Sequence, residues 1–192
     1  MKNQKSPIQL TSANVGIITA LPEEYAAVWQ VLGCKTEINV PGKGAGRKYS
    51  IAKLKTKAGA EHIVAVALLS EMGNNSAAIR ATQMAQHFPN VEHFIMVGIA
   101  GAVPNPTKAE DHVRLGDIVV TDRNGIVQYD LDKEEPQVTK HRHAPRPPGA
   151  TLLEAVRSLS VSEMQKNDRG NPTLRKRYRA LEKNGIDQVV RY

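Results

Sequence analysis

The chain contains a single cysteine, Cys34, in 192 residues. It can therefore form no internal disulfide and offers no cysteine cluster for zinc or an iron–sulfur centre. Aromatic residues are scarce, at 4%. A core so short of rings has to be built from Ala, Val, Ile and Leu, as in helices packed on a sheet. No apolar stretch approaches the roughly 20 residues of a membrane span. The polar opening, Met1 to Asn14, lacks the apolar run of a signal peptide. Together these absences argue for a cytoplasmic chain with no membrane partner. His141 and His143 have no acidic or cysteine neighbour at ligand spacing, so no metal site is expected there; no cofactor is expected either.

The formal net charge is +7. Most of that excess lies between Gln165 and Tyr192, where eight basic residues face three acidic ones. Neither basic–aromatic interleaving nor a finger motif accompanies the charge. It reads as a solvated or interface-forming helix and does not point to nucleic acid.

What is present is an alternation of short apolar runs and amphipathic segments. Hydrophobic residues make up 41% of the chain, enough for one domain with a real core. Val15 to Ala20 reads as a buried strand, and Pro22 suits the first position of a helix that follows. Tyr25, Val28, Trp29 and Leu32 recur at helical spacing on one face. Glu23 and Glu24 lie in the first turn, where the helix dipole favours negative charge; position alone is compatible with ordinary N-terminal acids or with a catalytic carboxylate. The segment Pro41 to Arg47 is rich in glycine and base but lacks the Gly-Lys-Ser/Thr ending and following helix of a P-loop. With strand-like flanks at Thr36–Val40 and Tyr49–Leu54, it reads as a hairpin loop.

Glu61 to Leu69 is a further buried strand, and it ends in the polar turn Ser70 to Ser76. Ala77, Ala81, Met84 and Phe88 then share a helical face that Pro89 closes. Phe94 to Gly98 reads as a strand, followed by a polar loop from Pro104 to Arg114. Leu115 to Asp122 and Ile126 to Asp130 read as strands, and Lys140 to Pro148 as an irregular loop. Leu152, Ala155, Val156 and Leu159 mark a helix, and Leu174, Tyr178 and Leu181 a last one. Two of the strands, Val15–Leu21 and Phe94–Gly98, run into small residues that would bring bare backbone to a sheet edge.

Four blocks carry a family resemblance in order. They are Val15-Gly-Ile-Ile-Thr-Ala-Leu-Pro-Glu-Glu24, Glu71-Met-Gly-Asn-Asn-Ser-Ala-Ala78, Val97-Gly-Ile-Ala-Gly-Ala-Val103 and Leu115-Gly-Asp-Ile-Val-Val-Thr-Asp122. With their spacing over residues 14–160, they resemble the nucleoside phosphorylase and nucleosidase superfamily, whose members cleave N-glycosidic bonds of purine nucleosides or uridine. Val127-Gln-Tyr-Asp130 followed by Arg146-Pro-Pro148 looks most like a branch often fused to signalling or defence domains. The resemblance implies an α/β, three-layer fold with a central mixed sheet flanked by helices, incomplete at its C-terminus. Residues 1–13 would form a polar arm and 14–192 the domain.

Carried over position by position, the resemblance makes Glu24 the catalytic glutamate that deprotonates the attacking water. Ala20 and Leu21 would wall the attacking group, Met72 would lie against the sugar, the backbone of Ile99, Ala100 and Gly101 would border the sugar and base, and Gly73 and Gly98 would also bind substrate. Phosphate-using members have an arginine and a serine where this chain has Met96 and Ile99, so water is the preferred nucleophile. The family's Met-Glu segment and Ser-Asp pair, which hold the ribose hydroxyls and protonate the leaving base, have no counterpart here. Asp130 and Asp132 are not at a spacing that supports them as substitutes. Two readings stay open: an N-glycosidic hydrolase or pentosyltransferase acting on a purine nucleoside or nucleotide, or a catalytically incomplete sensor or partner module. Either would form a homo-oligomer or pair with a chain completing the fold.

Overall fold

The computed structural model describes residues 12–40, 47–56, 58–108, 112–113, 115–121, 125, 132–135, 138–141, 147–167 and 190–191. The chain divides into two compact units, Met1–Ala100 and Gly101–Tyr192. Parts of several expected elements fall outside the described residues: the arm before Ser12, the Pro41–Gly46 loop, the 126–130 strand with Asp130, Arg146, and the helix around Leu174, Tyr178 and Leu181.

The first unit is built on a five-stranded sheet. Its elements are β1 (Val15–Thr19), α1 (Pro22–Leu32), β2 (Thr36–Val40), β3 (Arg47–Lys55), β4 (Glu61–Leu68), α2 (Asn74–His87) and β5 (His93–Met96). The strand order is β2-β3-β4-β1-β5. β1 pairs in parallel with both β4 and β5, while β3 runs antiparallel to β2 and β4. The sheet is therefore mixed. The β2–β3 register, with Val40 opposite Arg47, is that of the expected hairpin.

Strand alternation sends successive residues to opposite faces, and the two cores follow it residue by residue. Ile18, Ala65, Ala67, Tyr49 and Ile51 pack with Met84 of α2 and with Phe88, which caps it. Ile17, Val64, Val66 and Ala52 pack with Val28 of α1 and with Cys34. One helix thus covers each face, giving three layers. Each large apolar side chain fully buried this way contributes about 1.5–3 kcal/mol, and Tyr49, Phe88 and Met84 are the largest of them. Gly16 is tied to that packing, because a Cβ on it would lie 2.5 Å from the Met84 sulfur.

α1 starts at Pro22, whose missing N–H is no loss at a first helical position, and carries Glu23 and Glu24 in its first turn. It ends at Gly33, which has φ +60°. Gly33 donates to the Gln30 carbonyl and Cys34 to the Trp29 carbonyl, closing the last turn.

The second unit contains β6 (Val119–Val120), β7 (Asp132–Glu135), β8 (Val138–His141), α3 (Ala150–Asn167) and β9 (Val190–Arg191). β6 pairs with β9 and β7 with β8, both antiparallel. Two expectations are corrected here. The Leu115–Asp122 strand is reduced to two residues, because Gly116 turns the chain at φ +87° and Leu115 and Ile118 stay exposed. Lys140 and His141 belong to β8 and not to an irregular loop. Their partner β7 reads Asp-Lys-Glu-Glu, so no apolar alternation announces the strand.

Candidate functional site

Three parallel strands, β4, β1 and β5, end at one edge of the first unit's sheet, and the expected site residues leave from those ends. Ala20 and Leu21 follow β1, Met72 and Gly73 follow β4, and Gly98 and Ile99 follow β5. Ligands of open α/β sheets gather at such an edge because the strand ends diverge there and leave a crevice.

Glu24 stands at the centre. Its Oε2 accepts hydrogen bonds from the backbone N–H of Ala20 and of Leu21, each at 2.9 Å. Its Oε1 accepts the N–H of Ile99 at 2.8 Å. Leu21 is the N-cap of α1, so the contact to its N–H is one half of a capping box; leucine has no side-chain oxygen to supply the other half. The carboxylate thus clasps the exit of β1 to the exit of β5 across 75 residues of sequence.

Gly98 makes the clasp sterically feasible. A Cβ on it would lie 3.0 Å from Glu24 Oε1. The Ile99 amide is the largest influence on Glu24 and lowers its pKa; burial opposes this, and the Leu21 and Ala20 amides add to the lowering. The net result is a carboxyl held below its ordinary value of 4.5, and so ionised at neutral pH. Of about four lone-pair positions on a carboxylate, these three amides take three, and one remains on Oε1 to orient a ligand hydroxyl or a water.

The site's groups are mainly backbone. Ile99 contributes its N–H while its side chain is 75% exposed. Met96 is 56% exposed. Met72 is exposed in the turn after β4, and Gly73, at φ +130°, is the N-cap of α2 with no side-chain cap bond. The clasp joins Ala20, Leu21, Gly98 and Ile99 around Glu24, whereas Met72 and Gly73 share the sheet edge. Ala100 closes the first unit and Gly101 opens the second. Among the described residues no group of three or more His, Cys, Asp or Glu side chains could hold a metal ion. No described helix is long and apolar enough to cross a membrane.

The profile of the phosphorylase superfamily matches residues 14–185. The chain belongs to that superfamily. Among curated proteins it is 30% identical over 154 residues to a nucleotide-binding leucine-rich repeat (NLR)-like protein of Hyaloscypha variabilis, covering 78% of this chain and 15% of the fungal one. Two solved structures share the fold. A candidate 5'-methylthioadenosine/S-adenosylhomocysteine nucleosidase from Francisella philomiragia is 21% identical with a TM-score of 0.51, over 78% of this chain and 58% of its own. The Helicobacter pylori 5'-methylthioadenosine/S-adenosyl homocysteine nucleosidase, solved with a pyrrolidine ligand, is 20% identical with a TM-score of 0.50, over 80% and 60%. The chain therefore spans about three fifths of the solved enzymes' length and a small part of the fungal protein. The mixed sheet flanked by helices is the nucleoside phosphorylase and nucleosidase fold.

Sequence reasoning passed over one cluster at the same sheet edge. Arg80 of α2 is buried, and its Nη2 donates to the Lys48 carbonyl at 2.8 Å. The signal was available: Arg80 falls between Ala77 and Ala81, on the apolar stripe of an amphipathic helix, where a charge has no ordinary place.

Proposed function

We propose that this chain is a nucleoside-binding domain of nucleosidase type, with Glu24 directing water to the anomeric carbon of a purine nucleoside or nucleotide. The clasp from Glu24 to the Ile99 amide is the observation that carries this reading, taken with superfamily membership. The sugar would lie over the Ala20–Leu21 and Gly98–Ala100 backbone, with Met72 against it. The bond from the anomeric carbon to the base nitrogen breaks, and its electron pair leaves with the base, which takes a proton from solvent. As it breaks, the ionised carboxylate orients water through its remaining lone pair and accepts the water's proton. Water is favoured over phosphate because neither Met96 nor Ile99 offers the donors that would offset desolvation of a phosphate nucleophile. The outer strand β5, which exposes Ile95 and Met96, suits a domain that assembles with further copies of itself or another chain.

A second reading, a module that holds a nucleoside without cleaving it, is favoured by one feature of the clasp. Three amides already hold Glu24, and a carboxyl with a lowered pKa is a weaker proton acceptor. The match to a segment of an NLR-like protein suits such a sensor role.

Incubation with adenosine, inosine and methylthioadenosine, with and without phosphate, separates the two by the base released. Release independent of phosphate supports hydrolysis, and binding without release supports the sensor. A many-fold rise on adding phosphate refutes water as the nucleophile. Absence of binding to any of the three refutes both.

A further inference from the structure

A cavity of about 480 Å³ opens where the end of β4 and the start of β3 meet the first two turns of α2. Arg47, Lys48 and Arg80 line it, together with Ser70 and Ser76. Two carboxylates also face it. Glu37 is held by Lys48 at 2.8 Å, and Glu71 lies in the exposed turn after β4.

Arg80 is the unusual member. It is only 8% exposed, yet no described carboxylate pairs with it. The Tyr49 ring covers one face of its guanidinium, 4.5 Å from the centroid. Its Nη2 has the Lys48 carbonyl, but its Nε is buried with no partner among the described residues. Burial is the largest push against its charge, Tyr49 partly offsets it, and Arg47 stands close enough to disfavour the charge further. Keeping a cation out of water beside a second cation and without a counter-ion is unfavourable, and a cation–π contact offsets only part of that. Arg47 is itself steered by its Nε bond to Gln83 at 2.9 Å. The first turn of α2 adds to the positive field, since it carries no acidic residue and its N-cap has no side-chain bond.

We propose that this cavity binds a phosphate group, free or carried by a nucleotide, between Arg80, Arg47 and Lys48, with Ser70 and Ser76 as neutral donors. Guanidinium forks match tetrahedral oxyanions in geometry, and the phosphate supplies the counter-ion that Arg80 lacks. Ser70 Oγ and Ser76 Oγ are already 3.2 Å apart, so their hydroxyls can turn together towards an oxyanion. The proposal goes beyond the cleavage reading and does not depend on Glu24. The phosphate here is a recognition element and is assigned no part in bond breaking.

Calorimetric titration of the full chain tests it with inorganic phosphate, adenosine 5'-monophosphate and adenosine as separate ligands. Phosphate or the monophosphate should bind, and Arg80→Gln should weaken that binding by at least about tenfold, with a smaller loss in Arg47→Gln and no change in any adenosine binding. Equal affinity for phosphate and monophosphate identifies a free-anion site. A monophosphate much tighter than both phosphate and adenosine identifies a nucleotide site. The proposal is overturned if neither anion binds at about 10 mM, or if binding is unchanged in both variants. Should Arg80→Gln fail to fold, Arg47→Gln decides alone, and an unaltered affinity there refutes the site.

Discussion

Replacing Glu24 by Gln separates the carboxylate's charge from its shape. The native side chain accepts from Ala20 and Leu21 through one oxygen and from Ile99 through the other. Glutamine has a single acceptor oxygen. If that oxygen keeps the two N–H groups at the start of α1, its NH₂ faces the Ile99 N–H, donor against donor. Losing a hydrogen bond to a charged group costs about 1.5–3 kcal/mol, and removing a negative charge from a helix N-terminus adds about 0.3–1. The variant should therefore be about 2–4 kcal/mol less stable at neutral pH. The difference must also depend on pH. Glu24 has a folded pKa below its ordinary 4.5, so its contribution is complete above 4.5 and is lost as pH falls through the lower folded value. Urea unfolding of both proteins at pH 7 and at successively lower pH reads the two terms at once. A gap below about 0.5 kcal/mol at pH 7, or one that does not shrink on acidification, would show that the clasp contributes nothing to the fold.

Other perturbations probe neighbouring links. Gly98→Ala brings a methyl to 3.0 Å from a carboxylate that three amides hold in place, so it should destabilise by about 1–3 kcal/mol and weaken nucleoside binding, as urea unfolding and a ligand thermal shift would show. Met84→Ala, fully buried against α2's face of the sheet, should cost about 2–5 kcal/mol, and a loss under 1 would mean that the core is looser than its burial indicates. His87, which meets the Tyr49 hydroxyl at 2.8 Å, is held below its ordinary 6.5 mainly by burial, with Arg80 and Arg47 adding to it. Its proton is favoured in the unfolded chain, so stability should fall as pH drops below 6.5, and His87→Gln should flatten that part of the profile. β5 is the outer strand of its sheet among the described residues and exposes Ile95 and Met96. Met96→Lys should lower self-association measured by light scattering.

The layered half of the fold is legible because its signals are periodic. Residues 63–67 must face both cores in turn, and their apolar run, alternating between helices on either side, says so without a partner being known. α1 announces its start through Pro22 and its acids, and α2 its stop through Pro89. The hairpin of β7 and β8 shows the opposite case. Its first strand is made only of charged residues, so no apolar alternation marks it, and a backbone ladder leaves no trace in composition.

The site divides along the same line. Glu24 can be read from the chain because a carboxylate after a strand-to-helix junction has a local position, but its partner cannot. Ile99 acts through its amide, which every non-proline residue possesses, so the identity of residue 99 carries no information about the clasp. What the sequence does record is the space the contact needs: residue 98 has no side chain to occupy the position of the Glu24 oxygen. Arg80 differs again, since a charge within an apolar helical stripe is visible in the sequence although its lack of a counter-ion is not. That lack becomes apparent only once β3 places Lys48 and Tyr49 around the guanidinium and leaves its Nε without an acceptor. A buried cation without a counter-ion is costly to the fold, and an anion held in the cavity would offset that cost.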